Sequence, residues 1–264
     1  MTDSDIVTEL TLFAHRLADA AARVTLPLFR NLGQVDNKVT DGFDPVTEAD
    51  RGAEQAIRGL IETHYPTHGI SGEEFDDKPG DDFEWVLDPI DGTRAFISGM
   101  PSWGTLIGLN FKGAPLLGMM DQPFTGERYF AADGQGAKLQ LGERQSEIKT
   151  RACATLEQAI IATTSPDLFT DTPAQGLWAT VVDNAKLTRY GGDCYNYALV
   201  ASGHIDAVIE QDLKQVDIQP LVQIVEQAGG VITDWQGGPA HNGGTALACG
   251  DRALHAQVLE LLNA

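Results

Sequence analysis

A short apolar strand, Glu84 to Leu87, runs straight into Asp88-Pro89-Ile90-Asp91-Gly92-Thr93, the most informative segment of the chain. One carboxylate closes the strand and a second follows three residues on. Pro89 and Gly92 favour a tight turn between and after them. Both acids then point into one space at the strand end. Like charges that close repel strongly unless a cation or a proton lies between them. Magnesium takes oxygen ligands and keeps waters that a substrate phosphate can replace. The Ile90 carbonyl offers a neutral ligand on the same turn. For two generic aspartates at this spacing, an Asx-type turn into a loop is the plainer reading. The full six-residue string is far more specific.

Further acids gather around it in the sequence. Glu73 and Glu74 follow Gly72, and adjacent residues on an extended segment point to opposite sides. One of the pair, assigned as Glu73, is expected to reach the site. The neighbouring Asp76, Asp77, Asp81 and Asp82 read as a solvated acidic loop. Asp217 precedes a helix with Pro220 in its first turn, so on spacing alone it is an N-cap. Asp50 precedes an apolar helical face and follows Thr47 at a capping-box spacing, and it too reads as a cap.

The remaining pattern sets the fold class. Ile6, Leu10, Phe13, Leu17, Ala21, Val24 and Leu28 recur at helical spacing over residues 5–29, with Pro27 expected to kink or end the helix early. A second helix starts near Asp50 and ends before Pro66 and Gly69. Strands are expected at Trp103–Phe111, Ala114–Asp121, Arg128–Ala132 and Leu156–Thr163. Later strands are Lys186–Tyr190, Ile205–Glu210, Val231–Trp235 and Thr245–Cys249; helices cover 172–184, Asp193–Ser202, Ile218–Ala228 and 251–263. Strands cluster in the middle and alternate with helices later, which predicts an α+β or layered α/β fold. The 264 residues are expected to form one unit, with two halves meeting at a cleft near residue 150.

Charge narrows the function. The chain carries 18 Lys and Arg against 38 Asp and Glu, a net −20. Polyanions repel such a surface, which speaks against nucleic-acid or anionic-membrane binding. If the chain handles a phosphate, divalent cations on clustered carboxylates must supply much of the positive charge. Cys153, Cys194 and Cys249 lie far apart without a C-x-x-C pair, so neither a zinc site nor a disulfide framework is indicated. The acidic start lacks a signal peptide's basic residues, and a reducing cytosol fits. The six histidines form no H-E-x-x-H pair, and the glycine-rich pieces lack G-x-G-x-x-G and G-K-[ST], so zinc-hydrolase and nucleotide-motif readings fail.

Together, Gly72-Glu73-Glu74, Asp88 to Thr93, and Asp217 before a helix ending Ala228-Gly229-Gly230 resemble the inositol monophosphatase superfamily. Asp44 to Asp50 resembles the stretch that supplies that family's water-positioning acid. The likeness spans nearly the whole chain in order. Within the superfamily, DPIDGTRAF (Asp88–Phe96), WGTLIG (Trp103–Gly108), RYGGDCY (Arg189–Tyr195) and GHID (Gly203–Asp206) look most like histidinol-phosphate phosphatases of this type. One departure stands out: Val216 precedes Asp217, where the family usually has an aromatic residue.

The resemblance implies an αβαβα sandwich, a homodimer, and a small phosphate monoester as substrate. That substrate would be L-histidinol phosphate, in histidine biosynthesis. Inositol 1-phosphate is the alternative, and nucleotide or sugar bisphosphates are weaker ones. It implies up to three Mg²⁺ ions, or Mn²⁺, on Glu73, Asp88, the Ile90 carbonyl, Asp91 and Asp217. Asp50 and Thr93, with Glu73, would serve the attacking water. Gly92 and Thr93 amides would receive phosphate oxygens. Lys38 would sit near the outer metal. Arg189, Gly192, Asp193, Cys194 and Glu210 would face the substrate, with Asp217 also beside it. A catalytically silent binding protein on the same fold is the rival class, and the intact acids argue against it.

Overall fold

The computed structural model describes residues 3–31, 35–37 and 45–263; Lys38 and Asp44 lie outside them. The first apolar period forms α1 (Asp3–Leu28), with Pro27 inside its last turn rather than ending it early. The second forms α2 (Glu48–His64), which packs along α1. Leu10, Phe13 and Leu17 of α1 and Ala53, Ile57 and Ile61 of α2 enter one core with Trp85, Ile107 and Met119. Before α2, β1 (Val35–Asn37) and β2 (Pro45–Thr47) form an antiparallel ribbon.

The middle of the chain forms a seven-stranded sheet in chain order: β3 (Gly69–Gly72), β4 (Phe83–Asp91), β5 (Gly104–Phe111), β6 (Ala114–Gln122), β7 (Glu127–Ala132), β8 (Ala137–Leu141) and β9 (Arg144–Glu147). Only β3 and β4 pair in parallel within it. After β4 comes a short helix, α3 (Thr93–Ser98).

The later residues form a five-stranded mixed sheet. Its strands are β10 (Ile160–Thr163), β11 (Leu187–Tyr190), β12 (Ala207–Leu213), β13 (Val231–Thr233) and β14 (Gly244–Cys249), in the order β11-β10-β12-β14-β13. The strand expected over Leu156–Thr163 is split: Leu156–Gln158 is a 3₁₀ turn and only β10 is extended. The helices are α4 (Thr172–Asn184), α5 (Cys194–Ala201), α6 (Gln215–Gln227) and α7 (Arg252–Leu262).

The layers follow from what each helix touches. Helices α1 and α2 cover one face of the first sheet, and α6 covers the other. With α5, α6 also meets the second sheet, whose far side carries α7 and, against it, α4. This is the αβαβα sandwich. Glycines set the inner spacing: a Cβ at Gly118 would lie 1.9 Å from the Pro220 carbonyl oxygen, and one at Gly108 would lie 1.6 Å from Gln219 Oε1. Helix α6 begins at Gln215, earlier than predicted, so Pro220 is internal to it rather than in its first turn.

Candidate active site

The strand β4 does not turn at Pro89. It continues to Asp91 with a bulge: Asp88 opposes Leu106 and Asp91 opposes Gly104. Two residues of β4 thus face one of β5. Side chains three apart on a regular strand point to opposite faces. The extra residue restores both aspartates to one side. The bulge is pinned by Thr105 Oγ1, which donates to the Pro89 carbonyl at 2.8 Å, and by Ile90 N–H, which donates to Asp88 Oδ1 at 3.0 Å. The Asx-type contact and the convergent acids therefore coexist.

Gly92 then adopts φ +79° and opens α3. A Cβ there would come within 2.9 Å of the Asp193 carboxyl carbon, so glycine is required for both conformation and room. Thr93 Oγ1 lies 3.0 Å from the Ile90 carbonyl and 3.4 Å from Asp50 Oδ1. Asp50 is also the cap partner expected from spacing, since its Oδ2 accepts from Thr47 N and Oγ1 at 2.9 and 2.6 Å. Burial raises the Asp50 carboxyl pKa, while the Thr47 hydrogen bonds pull it down.

Asp217 is in the first turn of α6 rather than ahead of it, and its Oδ2 accepts from Lys214 N at 2.7 Å. Asp88, Asp91 and Asp217 each place a carboxylate oxygen within 4.8 Å of the others. Burial pushes the Asp88 pKa well up, and the charges of Glu73, Asp91, Asp217 and Asp50 push it further. Asp91 is raised by burial, then by Asp193 and Asp217, against a 2.7 Å hydrogen bond from Cys194 N–H. The three aspartates offer only hard oxygen donors. That donor set fits a divalent cation such as magnesium.

One cavity of about 220 Å³ joins this cluster to the second half of the site. Glu73, Asp88, Ile90, Asp91, Gly92, Thr93, Asp193, Cys194, Glu210 and Asp217 all line it. Three predicted residues stand outside its lining. Arg189 is exposed on β11, an edge strand. Gly192 is buried behind the pocket, where a Cβ would strike Asn196. Asp50 reaches the cavity only through Thr93.

Asp193 occupies the N-cap position of α5, yet its side chain caps nothing. Its backbone is in a glycine-favoured region, φ +47° and ψ −139°. Burial lifts its pKa to about 6, against the pull of the nearby Arg94 charge. Glu210 is gripped by Thr164 N and Oγ1 at 2.9 and 2.6 Å and by Tyr197 OH at 2.9 Å. Burial lifts its pKa to about 7 despite those bonds. The Cys194 thiol is pushed up by burial and by Asp91, so it is no thiolate nucleophile.

Thr164, Tyr197, Arg94 and Lys214 also line the cavity and were missed in the sequence. Two of them, Thr164 and Tyr197, carry a signal. Thr164 lies just past the end of β10, which pairs in parallel with β12, where open sheets place ligands. Tyr197 is one helical turn beyond Cys194.

Glu210 gives a test by pH. Its raised pKa means the folded state holds the proton more tightly, so stability is fullest below pH 4.5 and falls as pH rises through about 7. Glu210→Gln mimics the protonated acid. Relative to wild type it is expected to gain roughly 2–3 kcal/mol between pH 5 and pH 8. Thermal melts of the metal-free proteins at both pH values check this. A pH-independent difference would contradict it.

The inositol monophosphatase family model matches residues 6–264. The chain belongs to the inositol monophosphatase family. Its similarity to other members extends over nearly all of this chain. The chloroplastic bifunctional phosphatase IMPL2 of Arabidopsis thaliana is 44% identical, over 97% of this chain and 76% of its own. A histidinol-phosphatase of Chlorobaculum parvum is 37% identical, over 91% and 92%. A solved inositol monophosphatase from Zymomonas mobilis is 41% identical, covers both chains fully and superposes with a TM-score of 0.86. Among the described residues of this family member, no helix is long and apolar enough to cross a membrane.

Proposed function

We propose that the chain is a magnesium-dependent phosphomonoesterase that hydrolyses L-histidinol phosphate to L-histidinol and phosphate. What carries the substrate choice is Asp193, a mostly buried carboxylate set against Gly92 in the same cavity as the aspartate cluster. The names of the Chlorobaculum relative and the family support the same reading. Glu73, Asp88, the Ile90 carbonyl, Asp91 and Asp217 would hold the metal, with manganese also admissible. When bound, the metal supplies Lewis acidity and the positive charge that lets an acidic pocket accept a phosphate.

The chain's own residues do the rest. The Gly92–Thr93 amides open α3 toward phosphate oxygens. The Thr93 hydroxyl, held between the Ile90 carbonyl and Asp50, orients the attacking water, and Asp50 takes its proton. Asp193 and Glu210 face the leaving alcohol. Histidinol carries a cationic amine and a partly protonated imidazole, and carboxylates pair with such donors through charge-assisted hydrogen bonds. The proposal places this enzyme in the cytoplasm, as a homodimer and a single phosphatase unit.

Thr93→Ala and Asp50→Asn are each expected to lower kcat by about a hundredfold with little change in KM, because both serve the water. Steady-state kinetics check this; a loss confined to KM would reassign both. The Zymomonas neighbour, named an inositol monophosphatase, favours a second reading, inositol 1-phosphate. Comparing kcat/KM for the two substrates decides: the higher value is expected for L-histidinol phosphate, and the reverse order would replace it with inositol 1-phosphate.

A further inference from the structure

Lys214 meets the carboxylate cluster in an unusual way. Strand β12 is bulged between Glu210 and Leu213, and Asp212 sits at φ +61°, a region that favours glycine. The kink turns the strand end back toward the cavity, where Lys214 touches two of the acids. Its Nζ lies 2.9 Å from Glu73 Oε1, and its main-chain N–H donates to Asp217 Oδ2 at 2.7 Å. The segment is braced from behind: a Cβ at Gly243 would lie 2.5 Å from the Leu213 oxygen and 2.8 Å from the Lys214 carbonyl carbon. Among the described residues lining the cavity, Arg94 and Lys214 are the basic ones. Arg94 acts on Asp193, whereas Lys214 sits directly on a candidate metal ligand.

We propose that Lys214 is an internal stand-in cation: its ammonium holds Glu73 until a divalent ion arrives, competes with that ion, and swings out when the ion binds. The main-chain bond to Asp217 stays in place throughout. An ammonium and a divalent ion cannot share one carboxylate at contact distance without strong mutual repulsion. The Lys214 side chain is 57% exposed while that of Glu73 is 13% exposed. The lysine can therefore leave for solvent, and the glutamate stays in the cavity. This rests on reading the cluster as a divalent-cation site.

The test needs no turnover. Mn²⁺ binding to the metal-stripped full chain is titrated by electron paramagnetic resonance, for wild type, Lys214→Gln, Lys214→Arg and Arg94→Gln. Lys214→Gln is expected to bind its weakest ion roughly three- to tenfold more tightly, the scale of a half-exposed ion pair. Lys214→Arg should stay near wild type. Arg94→Gln removes the same charge from the same cavity and should gain clearly less. Separately, acetylation of Lys214 by an amine-reactive reagent, read by peptide mass spectrometry, should rise several-fold when Mg²⁺ is added. Unchanged or weaker binding in Lys214→Gln, an equal gain in Arg94→Gln, or unchanged labelling would overturn the proposal alone. Absence of Mn²⁺ binding in wild type would overturn it together with the metal-dependent function.

Discussion

Asp88→Asn is expected to cut turnover by roughly a thousandfold or more while raising the melting temperature of the metal-free protein. Asp88 is buried, and three other carboxylates besides Asp50 are ranged around the bulge that carries it. Its pKa is raised by burial first and by Glu73, Asp91, Asp217 and Asp50 after. A raised carboxylate pKa means stability is fullest below the ordinary value near 3.8 and declines as pH rises. Removing the charge should therefore stabilise the metal-free fold more at pH 8 than at pH 4. Asparagine keeps an acceptor for the Ile90 N–H, so the bulge survives. The variant should also lose most of the stabilisation that magnesium gives wild type by preferential binding to the folded state. Kinetics and thermal melts with and without magnesium read all of this. Near-wild-type activity would remove Asp88 from the site.

Asp193 carries the second large effect. Asp193→Ala and Asp193→Gly should lower kcat/KM for L-histidinol phosphate roughly ten- to a hundredfold, the worth of a charge-assisted hydrogen bond. For inositol 1-phosphate the loss should be much smaller. With a pKa of about 6, Asp193 is neutral in acid, so the discrimination should shrink below pH 6. Glycine and alanine differ in stability. Residue 193 sits at φ +47°, and glycine relieves that conformation by about 1 kcal/mol. Asp193→Gly should thus melt higher than Asp193→Ala, although both lose the same carboxylate. Equal losses on both substrates would contradict the assignment to the leaving alcohol.

Particular residues show how far sequence reasoning reaches. The run into Asp88 was legible because the full string from Asp88 to Thr93 is specific. The bulge was not, since one extra residue leaves no mark on a hydrophobic pattern that already ends at Leu87. The same reading passed over β8, whose AKLQL alternates for only five residues, and β9, whose RQSE carries no apolar residue at all. The start of α6 was misplaced because its N-cap is Lys214, a residue that seldom caps, and Asp217 looked like the better candidate. Asp193 opens the helix expected over Asp193–Ser202 and takes its N-cap position. Only the fold reveals that its carboxylate turns to Gly92 instead. Glu210 was named, but its grip by Thr164, 46 residues away, is a tertiary fact. Arg189 was named from a string it shares with Asp193, yet strand β11 carries it at the sheet edge, away from the cavity.

If the convergent carboxylates hold divalent metal for phosphate hydrolysis, turnover must depend on that metal. The most direct measurement is phosphate release from L-histidinol phosphate by chelator-stripped protein, before and after stepwise addition of Mg²⁺. No release above background is expected from the stripped protein, with full recovery on added magnesium that Asp88→Asn lacks. Undiminished phosphate release after exhaustive chelation would contradict that dependence.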